Sequence, residues 1–124
     1  MPTQYTVERF VALVEAGANV EAIEEFYALS ATVQENDQPP RVGRQALVEH
    51  ERKSLASVRT LRSTCVRPMF IAGDFVVLRW VFEYESTRGS RTRLEELAYQ
   101  RWLDQRIVEE KFFYDPSQFK SATD

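Results

Sequence analysis

Residues 75–86 carry the pattern that most limits how this chain can fold. Val76, Leu78, Trp80, Phe82 and Tyr84 recur at every second position, one unbroken apolar row. Only an extended strand gathers such a row on one face, because successive side chains point to opposite sides. The alternate positions are broken up by Arg79, Glu83 and Glu85, so one side packs and the other meets water. A strand this bulky on one face needs sheet neighbours and a covering layer.

The neighbours are legible. Ala72-Gly73-Asp74 and Thr87-Arg88-Gly89-Ser90 are turn strings on either side. They predict strands over 59–71 and 91–103. Asp104-Gln105 then turns the chain into a last strand over 107–114. Pro68 marks an edge strand or a bulge, since proline cannot donate to a ladder. A bulge there or near Ser86 would exchange inward and outward residues.

The covering layer precedes the sheet. Val7, Phe10, Val11 and Val14 follow helical spacing, predicting a helix from an N-cap at Thr6 to Ala16, ended by Gly17. Asn19 caps a second helix with Val20, Ile23, Phe26 and Tyr27 as its stripe. Gly43 precedes a third, from Arg44 to about Ser57, with Leu47, Leu55 and Val58 apolar. Helices first and strands after predict an α+β domain: three N-terminal helices packed on a strongly curved antiparallel β-sheet. The expected unit is a single domain over 1–124, with 117–124 a frayed tail.

Between the second and third helices lies a strand over 29–35. Leu29, Ala31, Val33 and Glu35 share one of its faces, and the turn string 36–40 follows. A carboxylate that continues an apolar face sits at a cavity's rim or floor, where burial raises its pKa and lets it act as a base. Alternatively, Glu35 is a strand-end carboxylate that faces water or caps the turn.

Composition narrows the function. Net charge is −3, with 16 basic and 19 acidic residues intermixed, which is not the basic face of a nucleic-acid binder. Arg88, Arg91 and Arg93 cluster around a hairpin turn and read as solvated. One cysteine, Cys65, and one histidine, His50, allow no intrachain disulfide and no Cys/His metal site. No cofactor is expected. No apolar run is long enough to cross a membrane, and a soluble, cytoplasmic protein is expected.

The element order and several strings resemble the NTF2-like superfamily, specifically its SnoaL-like and ketosteroid-isomerase-like branch. The strings are Phe10-Val11-Ala12-Leu13-Val14-Glu15-Ala16-Gly17, Glu21-Ala22-Ile23-Glu24-Glu25-Phe26-Tyr27, Ala31-Thr32-Val33, Pro39-Pro40, Gly43-Arg44, Arg106-Ile107-Val108 and Phe113-Tyr114-Asp115-Pro116. The resemblance implies a conical pocket and a fold that specifies function poorly. In ketosteroid isomerases an Asp base follows the Ala-Thr-Val-Glu string, and Glu35 fills that place here. Their oxyanion donors, a Tyr and a protonated Asp, match Phe10 and Ala98, neither of which can donate. The Arg and Asp residues of limonene-epoxide-hydrolase relatives fall at Trp80, Phe82 and Phe112. SnoaL-type cyclases ask only for an acid/base carboxyl in an apolar pocket.

The expected catalytic pair is therefore Glu35 as base and His50 as acid or orienting group, with Tyr114 a further donor. His50 follows Leu47 by three residues and is otherwise a packing residue. Phe10, Trp80, Phe82, Ala98, Phe112 and Tyr114 would line a site for a small cyclic or polyketide-like molecule, or be plain core. Glu96 shares a face with Leu94, Ala98, Gln100 and Trp102, and Glu110 with Val108, Phe112 and Tyr114. If both glutamates point inward, their repulsion raises at least one pKa; if parity slips, they are surface carboxylates. Leu97 and Tyr99 make the opposite face apolar too, which suits a homodimer. The functions in view are a cofactor-free isomerase, cyclase or dehydratase, a non-catalytic small-molecule binder, and a dimerisation module.

Overall fold

A computed structural model describes residues 1–119. Helices α1 (Gln4–Glu15) and α2 (Asn19–Phe26) lead into β1 (Tyr27–Glu35) and the short β2 (Arg41–Val42). Helix α3 (Arg44–Ala56) follows, then β3 (Val58–Ala72), β4 (Phe75–Ser86), β5 (Arg91–Leu103) and β6 (Arg106–Phe113). The six strands form one curved, unclosed sheet in the order β2-β1-β6-β5-β4-β3. The expected meander β3–β6 is antiparallel, but β1 joins β6 in parallel. The sheet is therefore mixed, because β2, α3 and the strands β3–β5 intervene between β1 and β6, so the chain returns by a long connection rather than through a hairpin.

Helix α1 begins one turn before the expected cap. Thr3, not Thr6, is the N-cap, and its Oγ1 accepts the Thr6 N–H at 3.0 Å. Gly17 ends the helix as expected, at φ +80°. The Gly17 and Ala18 N–H groups bond back to the Val14 and Leu13 carbonyls at 3.0 and 2.9 Å, which closes the exposed carbonyls of the last turn. Asn19 does not cap α2 with its side chain; that side chain reaches α3 instead. Gly43, at φ +95°, turns β2 into α3, a backbone state that any side chain would strain.

The core is built where the helices meet the inner sheet face. Phe10 lies edge-on to Phe26 and Trp102, with centroids 5.7 and 6.1 Å away. Val7, Val11, Val76, Leu78 and Ile107 fill in around them. Truncating a buried Phe of this kind costs about 3–5 kcal/mol.

Strand parity departs from the sequence reading at two strands. In β1 the ladder slips between Tyr27 and Thr32, so the strand bulges outward and Leu29 is 73% exposed, while Ala31 and Val33 stay buried. In β6 a bulge opposite Arg101 and Trp102 turns Ile107 inward instead of Val108, so Val108 does not share Glu110's face. The bulge after Val66 spends four residues of β3 against two of β4, which preserves parity, and β3 is the edge strand that Pro68 suits.

The expected frayed tail is docked in its first part. Pro116–Phe119 form a 3₁₀ turn. The Gln118 side chain brackets the Glu95 backbone, accepting its N–H at 2.9 Å and donating to its carbonyl at 3.1 Å. Residues 120–124 lie outside the described residues. Among the described residues, no helix is long and apolar enough to cross a membrane.

Candidate functional site

Past the aromatic core, the helices and the sheet diverge and leave a partly open cavity of about 380 Å³. Phe10, Trp80, Phe82 and Phe112 line it, and so do Glu35, His50, Glu96 and Glu110. Two expected wall residues do not. Ala98 is wholly buried between Leu78 and Phe112 in the ladder, too short to reach the space. Tyr114 stands behind Glu35 and donates its hydroxyl to Oε1 at 3.0 Å.

Register explains the arrangement. On the inner face Trp80 pairs with Glu96, and Gln100 pairs with Glu110. In the parallel β1–β6 ladder, Val33 pairs with Glu110 and Glu35 with Phe112. Three carboxylates from three strands thus face one space.

Their surroundings differ. Glu35 is half-buried and held at both oxygens: Arg41 of β2 donates to Oε2 at 2.5 Å, and Tyr114 binds Oε1. The Tyr114 hydroxyl is pushed up to about 12, by burial first and then by its bond to Glu35. It stays protonated and stays a donor.

Glu110 is buried and satisfied. It accepts a hydrogen bond from the Tyr27 hydroxyl and one from Gln100 Nε2 at 2.6 Å; Gln100 Oε1 in turn accepts the Trp102 indole N–H at 2.9 Å. Burial pushes Glu110 up to about 7, and the two donated bonds hold it back. Tyr27 is driven well above its usual value by burial and by Glu110.

Glu96 is only 8% exposed. Its carboxyl group borders the cavity with no hydrogen-bond or ion-pair partner among the described residues. Burial pushes it up to about 8, and the charges of Glu110, Glu35 and Glu51 add to the rise. A carboxyl group left unpaired in such a place is mostly neutral near pH 7 and can donate a proton.

His50 is exposed at the cavity's rim, neither packed beside Leu47 nor bonded to Glu35. Its neighbour Glu51 also lines the cavity and accepts from Asn19 Nδ2 at 3.0 Å. Asn19 Oδ1 is buried without a partner. Sequence reading missed Asn19, Tyr27, Arg41, Glu51 and Gln100. Arg41 was hidden in turn-like sequence, and Tyr27 was assigned to a helix stripe. Arg88, Arg91 and Arg93 are exposed, as expected of a turn. No group of three or more His, Cys, Asp or Glu among the described residues is placed to hold a metal ion.

No curated protein matches the sequence. Solved structures match the fold at low identity. A candidate SnoaL-like polyketide cyclase from Mesorhizobium loti is 22% identical, with a TM-score of 0.77 over 92% of this chain and 100% of that one. A protein from Catenulispora acidiphila with a ketosteroid-isomerase-like fold, in complex with trimethylamine, is 18% identical, with a TM-score of 0.78 over 94% of this chain and 89% of that one. TerC, co-crystallised with polyporic acid, is 16% identical, with a TM-score of 0.78 over 93% of this chain and 92% of that one. The profile of the SnoaL-like domain matches residues 7–110. With the helices, the curved sheet and the cavity in their places, the chain belongs to the SnoaL-like domain family of the NTF2-like superfamily.

Proposed function

We propose that the cavity binds a small, cyclic, largely apolar molecule, and that the protein moves a proton on it without a cofactor, as an isomerase, cyclase or dehydratase does. One observation carries this reading. Two carboxyl groups of opposite character border one space: Glu35, ion-paired with Arg41, and Glu96, buried and unpaired. Glu35 retains free lone pairs after binding Arg41 and Tyr114 and takes the proton. Glu96 returns one. His50, at the rim, orients the ligand or exchanges protons with solvent. The aromatic walls and the volume suit one or two small rings. Two relatives of this fold were crystallised with small ligands, which favours a ligand here. A cytoplasmic setting suits Cys65, a buried free thiol.

The test is solvent-deuterium exchange at the α-carbons of cyclohexanone and tropinone, followed by NMR. Catalysis of about 10²-fold over buffer is expected, returning to the buffer rate in Glu35→Gln. Exchange no faster than buffer with both ketones removes the proton-transfer reading.

A second reading, a non-catalytic binder, is favoured by Phe10 and Ala98. They stand where the related isomerases carry oxyanion donors, and they offer none. Under either reading a homodimer forms through the outer sheet face, where Phe75, Leu97, Tyr99 and Phe113 are each 41–47% exposed.

A further inference from the structure

The charged groups around the cavity are mostly of one sign. Its charged lining is Glu35, Glu51, Glu96 and Glu110 against Arg41, with His50 at the rim. Arg41 is taken by Glu35, Glu110 is filled by Tyr27 and Gln100, and Glu51 receives Asn19. Of the lining carboxylates, only Glu96 has no hydrogen-bond or ion-pair partner among the described residues, although the residue is 8% exposed; the buried Asn19 Oδ1 is unpartnered too. The Asn19 amide cannot turn over to hide that oxygen, because its nitrogen already serves Glu51. Beside Glu96 stands a stacked aromatic pair, Trp80 and Phe82, with centroids 5.5 Å apart and planes 15° apart. Trp80 is Glu96's partner in the ladder. Aromatic faces attract cations and repel anions.

We propose that the ligand is a ring bearing a protonated amine, its N–H groups donated to Glu96 and its ring held against Trp80 and Phe82. This rests on the reading of the cavity as a small-molecule site and names the class of molecule that fits it. An enolate or carboxylate would enter a field set by four glutamates and a single arginine that is already paired with Glu35. A cation relieves that field. It also ionises Glu96, so binding releases the carboxyl proton that burial retains in the empty cavity.

NMR titration of the ¹⁵N-labelled protein with benzylamine, benzyl alcohol and phenylacetate tests it, one ring size with three charges. Benzylamine is expected to bind about tenfold more tightly than the alcohol, as one added charge-assisted hydrogen bond predicts. Phenylacetate is expected to bind weakest. Glu96→Gln should bring benzylamine down to the level of the alcohol. In the unsubstituted protein, which needs no variant to fold, benzylamine affinity should rise from about pH 6 to about pH 8 as Glu96 ionises more easily. Alcohol or phenylacetate binding as tightly as the amine overturns the cationic ligand and leaves the cavity reading standing, as does a flat pH profile. If none of the three perturbs residues lining the cavity, both fall.

Discussion

Tyr114 donates its hydroxyl to Glu35 Oε1 at 3.0 Å across 79 positions of sequence. The two meet because β1 and β6 run side by side in parallel and end together. Asn36 ties the same ends: its side chain donates to the Tyr114 carbonyl and accepts the Tyr114 N–H, both at 3.0 Å. The carboxylate assigned as the base is thus positioned by the other end of the chain.

Tyr114→Phe removes the donor and leaves Arg41 as Glu35's sole partner. The half-buried bond is worth about 1 kcal/mol of stability. A shift of that size in the urea midpoint with an unchanged slope is expected. An unchanged midpoint would mean that water replaces the hydroxyl at no cost.

Asn36 sits at φ +50°. Asn36→Ala loses both bonds to Tyr114 and places an ordinary side chain in left-handed backbone, whereas Asn36→Gly loses only the bonds. The alanine variant should be the less stable by about 1 kcal/mol, read as the difference between the two melting curves. Equal stability would show that the turn relaxes to another backbone state.

Glu96 and Glu110 give stability a pH dependence of definite sign. Their folded values, about 8 and about 7, lie above the ordinary 4.5. Between 4.5 and those values the folded chain holds more protons than the unfolded chain, so their stabilising contribution is full below the window and lost as pH rises through it. Urea midpoints should fall from about pH 5 to about pH 8. Glu96→Gln should flatten the fall and be the more stable form at the alkaline end. A midpoint that climbs over this range would place the Glu96 carboxyl group in solvent.

The outer sheet face offers Leu97 and Tyr99, 45% and 47% exposed, beside Phe75 and Phe113. Tyr99→Glu puts a charge at the centre of that patch. Light scattering should read a dimer for the unsubstituted chain and a monomer for the variant. A monomer in both would assign the patch another role.

Local physics made much of this protein legible from its sequence. The period-two row from Val76 to Tyr84 and the helical stripe from Val7 to Val14 are properties of short segments, and each appears where it was expected. The inward parity of Glu96 on an unbroken β5 also follows from alternation alone. What failed were features that depend on a partner strand. Leu29 and Val108 lost the buried face because ladders slip where β1 and β6 accommodate their neighbours, and alternation cannot register a bulge. The parallel joining of β1 to β6 brought Glu35 to Tyr114 and Tyr27 to Glu110, contacts 79 and 83 residues apart. Spacing along a chain fixes which face a side chain takes. Whether a carboxylate there is paired, satisfied or left alone depends on groups that only the closed fold brings within hydrogen-bonding distance.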